Sequence, residues 1–289
     1  MPKNTRNSHG AATMIDLRSR SKAFSSVFYS RHVIDALTFA SLIFILAASA
    51  QAAERLGSYP VDPNQVSVAG ISSGAFMANQ MHIAHSADIM GAAMIAGGLY
   101  GCAVEAVEDD GVRALASQAV FDCMSLPSNL NEPSAYADRV KEFAARGWID
   151  PTSNLAKSRI YFFTGGSDSV VASKTVETAK ATYDALGVSA ESVVFEDRSG
   201  PAASAGHSWV TKGFAEACDA NESPYLDNCN YDQAGAELKG IYGQDLKPPV
   251  GAASGRIVAF DQTEFVSGKA TADRRSSTSM MWSAARASS

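Results

Sequence analysis

The sequence predicts an α/β fold, a mostly parallel sheet with helices on both faces, and three observations carry that prediction. Short β-branched or aromatic runs at 66–71, 89–98, 159–164 and 192–196 alternate with stretches of helical periodicity, which is the pattern of successive βα units. The run at 89–98 (IMGAAMIAGG) is apolar without alternation, as a strand buried on both faces must be. The stretch 66–77 (VSVAGISSGAFM) passes from strand to tight turn to helix through Gly70-Ile71-Ser72-Ser73-Gly74.

That turn has the G-x-S-x-G form of a nucleophile elbow, in which the central serine is pushed above the sheet. Both glycines are expected where a Cβ would strike the neighbouring strand or helix. Ser72 is therefore the candidate nucleophile. Ser73 opens the helix, where its backbone N–H lacks a helical partner and can face a developing oxyanion. The pentapeptide alone arises by chance in roughly one chain in ten of this length, so its flanks decide the matter. Val66, Val68 and Ile71 give strand character before it, and Phe76, Met77 and Met81 give an apolar helical face after it. The alternative is an ordinary Gly/Ser turn of an α/β protein.

A 289-residue chain accommodates one large domain or two small ones. The apolar run at 33–53 follows Arg18, Arg20, Lys22 and Arg31 and ends in Ala48-Ser49-Ala50 and Ala50-Gln51-Ala52, the small-residue pattern of a cleavage site. Residues 1–52 are read as an export signal, the alternative being a retained anchor. Cleavage after Ala52 leaves 237 residues. It removes six Lys/Arg and two Asp, which takes the formal charge from −6 to −10. So acidic a chain argues against nucleic acid or an anionic membrane as partner and suits a neutral or apolar substrate. No stable membrane anchor is expected after cleavage, and the sequence does not set the oligomeric state.

All four cysteines, Cys102, Cys123, Cys218 and Cys229, lie in the exported part, where an even number reads as disulfides. Closeness in sequence favours Cys102–Cys123 and Cys218–Cys229 among three allowed pairings, and the shorter loop would contribute about 3 kcal/mol in the chain-entropy model. There is no C-x-x-C and no Cys/His cluster. No metal and no cofactor are expected.

Taken in order, the elbow helix ends with His82 and His85, whose i, i+3 spacing can hold a metal but which read here as a solvated helix face. Residues 111–125 and 134–146 carry helical periodicity, the second with Tyr136, Val140 and Phe143 on one side, and Pro127 and Pro133 bracket the turn between them. The run at 159–164 (RIYFFT) is the strongest strand signal, and Gly165-Gly166-Ser167-Asp168 follows it. A carboxylate just past a strand's C-terminal end is where such sheets keep functional groups, so Asp168 is the candidate acid; a turn or helix-capping aspartate is the other reading. A helix at 176–186 stops at Gly187, and a strand at 192–196 leads to Gly206-His207-Ser208. His207, on a Gly/Ser-rich loop after a late strand, is the histidine able to return over the elbow.

The order Ser72, Asp168, His207 is the order of nucleophile, acid and base in an α/β-hydrolase, and the gaps of 96 and 39 residues hold the intervening strand and helix units. In such a triad His207 takes the Ser72 proton, Asp168 fixes the imidazole, and the Ser73 N–H binds the oxyanion. Only about 13 residues separate the cleavage site from Val66, whereas 82 follow His207. A circularly permuted sheet accounts for both, with the early strands supplied from the end of the chain.

The segments GISSGAFMANQMHIAHS, IMGAAMIAGGLYGCA, YFFTGGSDSVV, AGHSWVT and PYLDNCNYDQAGAELKGIYG together resemble the single-domain poly(3-hydroxybutyrate) depolymerases, also called polyhydroxyalkanoate depolymerases, over 66–265. The resemblance implies a secreted or periplasmic enzyme of circularly permuted α/β-hydrolase fold that hydrolyses short-chain hydroxyalkanoate polyesters. Carried over by motif, its nucleophile, acid and base fall on Ser72, Asp168 and His207, and its first oxyanion amide falls on Ser73. Tyr100 and Trp209 are candidate substrate-binding aromatics around the cleft. The chain departs from the family after 255–265, where a His-Gly-Cys-like turn carrying the second oxyanion amide is expected and is not found. Residues 271–289 (TADRRSSTSMMWSAARASS) read as a disordered or out-of-frame tail, so the catalytic domain at 53–270 is expected to be truncated. Three functions follow: a polyester depolymerase, an exported esterase of feruloyl or acetyl esters, or an inactive remnant.

Overall fold

The computed structural model describes residues 55–102, 121–247, 250, 251, 255, 257–261 and 265. The expected export signal at 1–52, the tail at 271–289 and most of the expected helix 111–125 lie outside the described residues; the end of that helix is a single π-helical turn, Phe121–Ser125. The chain divides into two units, Met1–Ser58 with Ser254–Ser289, and Tyr59–Ala253. In the first, the rings of Phe260 and Phe265 meet edge to face at 6.1 Å. The second holds the regular elements.

Its main sheet has four parallel strands in the order of the sequence: β1 (Ser67–Ile71), β2 (Gly91–Ile95), β3 (Arg159–Phe163) and β4 (Val193–Glu196). Helix α1 (Ser73–Ala84) joins β1 to β2, α2 (Pro133–Ala145) lies between β2 and β3, and α3 (Ser173–Ala185) joins β3 to β4. Apart from the helix expected at 111–125, the expected strands and helices of this stretch form within a few residues of their expected bounds. Pro133 opens α2, a position whose N–H would be unpaired in any residue. Gly187, at φ +85°, follows the end of α3 in the left-handed conformation a side chain resists. Three further short strands, β5 (Trp209–Thr211), β6 (Glu216–Ala217) and β7 (Leu226–Asn228), form a second sheet in the order β5-β7-β6, and α4 (Gln233–Tyr242) follows.

Alternation along the strands builds two cores. Ala92, Met94, Ile160 and Phe162 face α1, α2 and α3, meeting Ala75, Ile83, Tyr136, Val140, Val176 and Tyr183. Ala93, Ile95, Tyr161 and Phe163 face the other way, toward Ile241 of α4 and Val210 of β5. Helices therefore cover both faces, and every residue of β2 is buried, as its unbroken apolar run predicts. Burying side chains of this size contributes about 1.5–3 kcal/mol each. The expected cystine pairs, Cys102–Cys123 and Cys218–Cys229, are both formed. Among the described residues no helix is long and apolar enough to cross a membrane.

The face that α1 buries differs from the expected one. Met77 and Met81 are exposed, while Ala75, Ala78, Asn79, His82 and Ile83 are buried. Apolar residues occur all around this helix, so their spacing does not mark one side. The side that packs against β1 and β2 combines Ala75 and Ala78 with the larger Asn79, His82 and Ile83.

Candidate active site

Parallel pairing places the C-terminal ends of β1, β3 and β4 at one edge of the sheet, and the loops leaving them carry Ser72, Asp168 and His207 in turn. Ser72 stands between β1 and α1 with φ 56° and ψ −124°. This region costs a non-glycine residue on the order of 1–3 kcal/mol and is held by the surroundings. The Ser72 N–H donates to the Ile95 carbonyl at 2.9 Å, and its carbonyl accepts from Phe76 N at 3.1 Å. A serine before a helix normally caps it through its hydroxyl; Ser72 makes no such bond, which leaves Oγ uncommitted to the helix. Ser73 is the first helical residue and exposed, with its N–H among those that have no partner within the helix.

The expected need for glycine holds at Gly70, where a Cβ would lie 2.2 Å from the Gly74 carbonyl carbon. It fails at Gly74, where a Cβ would meet nothing within 4 Å. The backbone of Gly74, and not its missing side chain, is what crowds the turn.

Asp168 and His207 are in contact. His207 Nδ1 lies 3.0 Å from Oδ2 and 3.1 Å from Oδ1 of Asp168, with the two side chains 6% and 0% exposed. A carboxylate only accepts, so Nδ1 donates to Asp168, and in the neutral ring that leaves the lone pair on Nε2, the arrangement a general base needs. Oδ1 of Asp168 also accepts from Val170 N and Val171 N at 2.9 Å each, so the carboxylate caps its own turn while holding the imidazole. The functional and the turn-capping readings of Asp168 thus describe one geometry.

The loops that present these two residues are joined. Gly166 N donates to Ala203 O at 2.8 Å and Ser167 N to Ala205 O at 3.0 Å. Gly165 makes that approach feasible, since a Cβ there would lie 2.1 Å from Ala205 O. Tyr225, 44% exposed, sets its ring edge to face against His207 at 5.9 Å.

Two expected positions change, Tyr100 and His82. Tyr100 does not stand at a rim: it is buried, edge-on to Phe143 at 6.4 Å, because α2 closes over the loop that carries it. Trp209 is half-buried at the start of β5. His85 is exposed as expected, but His82 is fully buried, 2.7 Å from Tyr183 OH through Nδ1 and 2.9 Å from Ser158 Oγ through Nε2. Burial pushes its pKa down to about 4. Sequence reading missed Tyr225 and Asn221, the latter bonded to both site loops. Their contacts cross between distant loops and leave no periodic signal.

Sheet order, elbow and acid–base pair define the α/β-hydrolase class of fold. No protein-family model matches the chain. Poly(3-hydroxybutyrate) depolymerase of Delftia acidovorans is 34% identical over 220 residues, 75% of this chain and 42% of that protein. Polyhydroxybutyrate depolymerase of Talaromyces funiculosus is 34% identical over 238 residues, 80% of this chain and 63% of its own length. The crystal structure of PHB depolymerase from Penicillium funiculosum superposes with a TM-score of 0.58 at 30% identity, covering 74% of this chain and 61% of that one. A PHB depolymerase complexed with an R3HB trimer gives 0.59 at 28% identity over the same shares. By sequence and by fold, the chain is a relative of the poly(3-hydroxybutyrate) depolymerases. It spans less than two thirds of the length of each of these relatives.

Proposed function

We propose that the chain is an exported serine esterase that hydrolyses short-chain polyhydroxyalkanoate esters, poly(3-hydroxybutyrate) among them. The observation that carries this reading is the buried Asp168–His207 pair on the sheet edge that also presents the strained Ser72 elbow. The related depolymerases support the choice of substrate. The two disulfides support export, since such bonds persist in oxidising compartments, and residues 1–52 would be the segment that directs it.

Ser72 Oγ attacks the ester carbonyl while its proton passes to His207 Nε2. Negative charge then develops on the carbonyl oxygen, where the Ser73 N–H at the start of α1 faces it with the positive end of the helix dipole behind. Asp168 holds the imidazole in the tautomer that leaves Nε2 free and stabilises the imidazolium. Collapse breaks the ester C–O bond, the leaving alkoxide takes the proton from His207, and an acyl group remains on Ser72. Water then attacks that acyl group with His207 again as base, releasing the hydroxy acid end and restoring Ser72.

The test is hydrolysis of a short acyl p-nitrophenyl ester and clearing of an amorphous poly(3-hydroxybutyrate) suspension, beside a Ser72→Ala control. Turnover of both that depends on Ser72 is the expected result. Turnover of the small ester without clearing would move the substrate to other acyl esters. No turnover by a folded sample would overturn the esterase reading.

A further inference from the structure

Asn221 lies on the loop closed by the Cys218–Cys229 disulfide, and its amide binds both loops of the acid–base pair. Oδ1 accepts from His207 N at 2.9 Å and from Ser169 N at 3.0 Å. Nδ2 donates to Ser167 O at 2.9 Å and to Asp219 O at 3.2 Å. Ser167 and Ser169 flank Asp168, so one side chain grips the backbone on both sides of the acid and the backbone of the base itself. The other ties between these loops, from Gly166 and Ser167 to Ala203 and Ala205, lie upstream of both residues.

The chemistry of this grip is specific. It needs an acceptor toward two N–H groups and, at the far end of the same rigid plane, a donor toward a carbonyl. Only a primary amide supplies both. Asparagine reaches from a loop that is itself pinned: Gly206 N donates to Cys218 O at 2.9 Å, and a Cβ on Gly206 would lie 1.7 Å from Ala220 O.

We infer that Asn221 is the positioning residue of the acid–base pair, and that the disulfide loop exists at this place to present it. It touches no reacting atom; it sets the distance between Asp168 and His207. As far as turnover is concerned the inference rests on the esterase reading above, so its test includes one readout that does not.

That readout is the low-field proton resonance of the His207 Nδ1–H in the full chain, with Asp168→Asn as the control that abolishes it. The resonance is expected in the wild-type chain and is expected to be lost or broadened by exchange in Asn221→Ala. On a p-nitrophenyl ester, Asn221→Ala is expected to lower kcat by about 10- to 100-fold with KM within about twofold, the cost of a misplacement on the ångström scale. In an Asp168→Asn background the same substitution is expected to cost no more than about twofold, since groups acting as a unit are not additive. Asn221→Asp keeps the acceptor and loses the donor to Ser167 O, so it is expected to fall between the two and serves the same test if the alanine variant does not fold. An unchanged resonance and unchanged kcat in either variant would overturn the inference while leaving the esterase reading in place. A wild-type chain that shows the resonance, loses it with Asn221 and turns over no ester would do the reverse.

Discussion

Two histidines are buried in this molecule almost equally, His82 at 0% exposure and His207 at 4%, and what surrounds them makes them different chemical objects. His82 sits between α1 and the helical face of the sheet with neutral hydroxyl partners, Tyr183 OH and Ser158 Oγ. Nothing there stabilises a positive charge, so burial holds it neutral, with its pKa pushed down to about 4. His207 sits at the sheet edge with a buried carboxylate as partner. Each also has a tyrosine: Tyr183 lies stacked on His82 at 5.6 Å and 29°, wholly buried, whereas Tyr225 stands edge-on to His207 at 5.9 Å and 83°, open to solvent. Burial therefore does not distinguish these two histidines. The charge and the access of its partners do.

The sharpest test of this contrast is Asp168→Asn, which turns the carboxylate of His207 into a neutral partner like those of His82. Steady-state kinetics should show kcat falling by about 10⁴-fold, while the melting temperature stays within a few degrees. The next largest effect is on stability at low pH. His82 has an ordinary value of 6.5 and a folded value near 4, so its contribution is full above 6.5 and is lost as pH falls from 6.5 toward 4. At about 1.4 kcal/mol per pH unit this loss is roughly 3 kcal/mol. Denaturant melts of His82→Gln should lack it.

On the opposite face, Glu237 of α4 runs the other way. Burial pushes it from 4.5 up to about 7, so its contribution is full below 4.5 and is lost as pH rises through 7. Glu237→Gln should therefore melt above the wild type at pH 8 and close to it at pH 4. A smaller effect is expected from Tyr183→Phe, which leaves Nδ1 of His82 buried without a partner. The cost should be about 1–3 kcal/mol in a denaturant melt, with kcat of the folded protein unchanged. Smallest is Tyr225→Ala, which removes the ring from His207 without opening the core. It should lower kcat/KM by about 2- to 10-fold, the worth of one aromatic contact, and leave the melting curve alone.

Much of this arrangement was legible in the chain. The strands that place Ser72, Asp168 and His207 are short apolar runs that lead into turns containing glycine, and their order alone puts the three residues on one edge. The cystine pairs followed from closeness in sequence. The side of α1 that turns inward was not legible, because Ala75, Met77, Ala78, Met81 and Ile83 offer apolar groups in every direction. His82 was misread with it, since a histidine at a helix end looks solvated until Tyr183 and Ser158, 101 and 76 residues away, are seen beside it. Tyr100 was misread because the cover that α2 provides is a tertiary event. Asn221 was invisible for a related reason: an amide that bonds backbone groups 14, 52 and 54 residues distant leaves no local mark.

Each strand of the main sheet pairs with the one before it in the sequence, and that order has a meaning in time as well as in space. A chain that folds as it is made lays down β1 and the elbow first, then β2, then β3 with Asp168, then β4 and His207, adding one neighbour at a time. Asn221 and its disulfide loop come after all of these. The strained turn at Ser72 is therefore laid down before the Asp168–His207 pair can form, with 135 residues still to be added between Ser72 and His207.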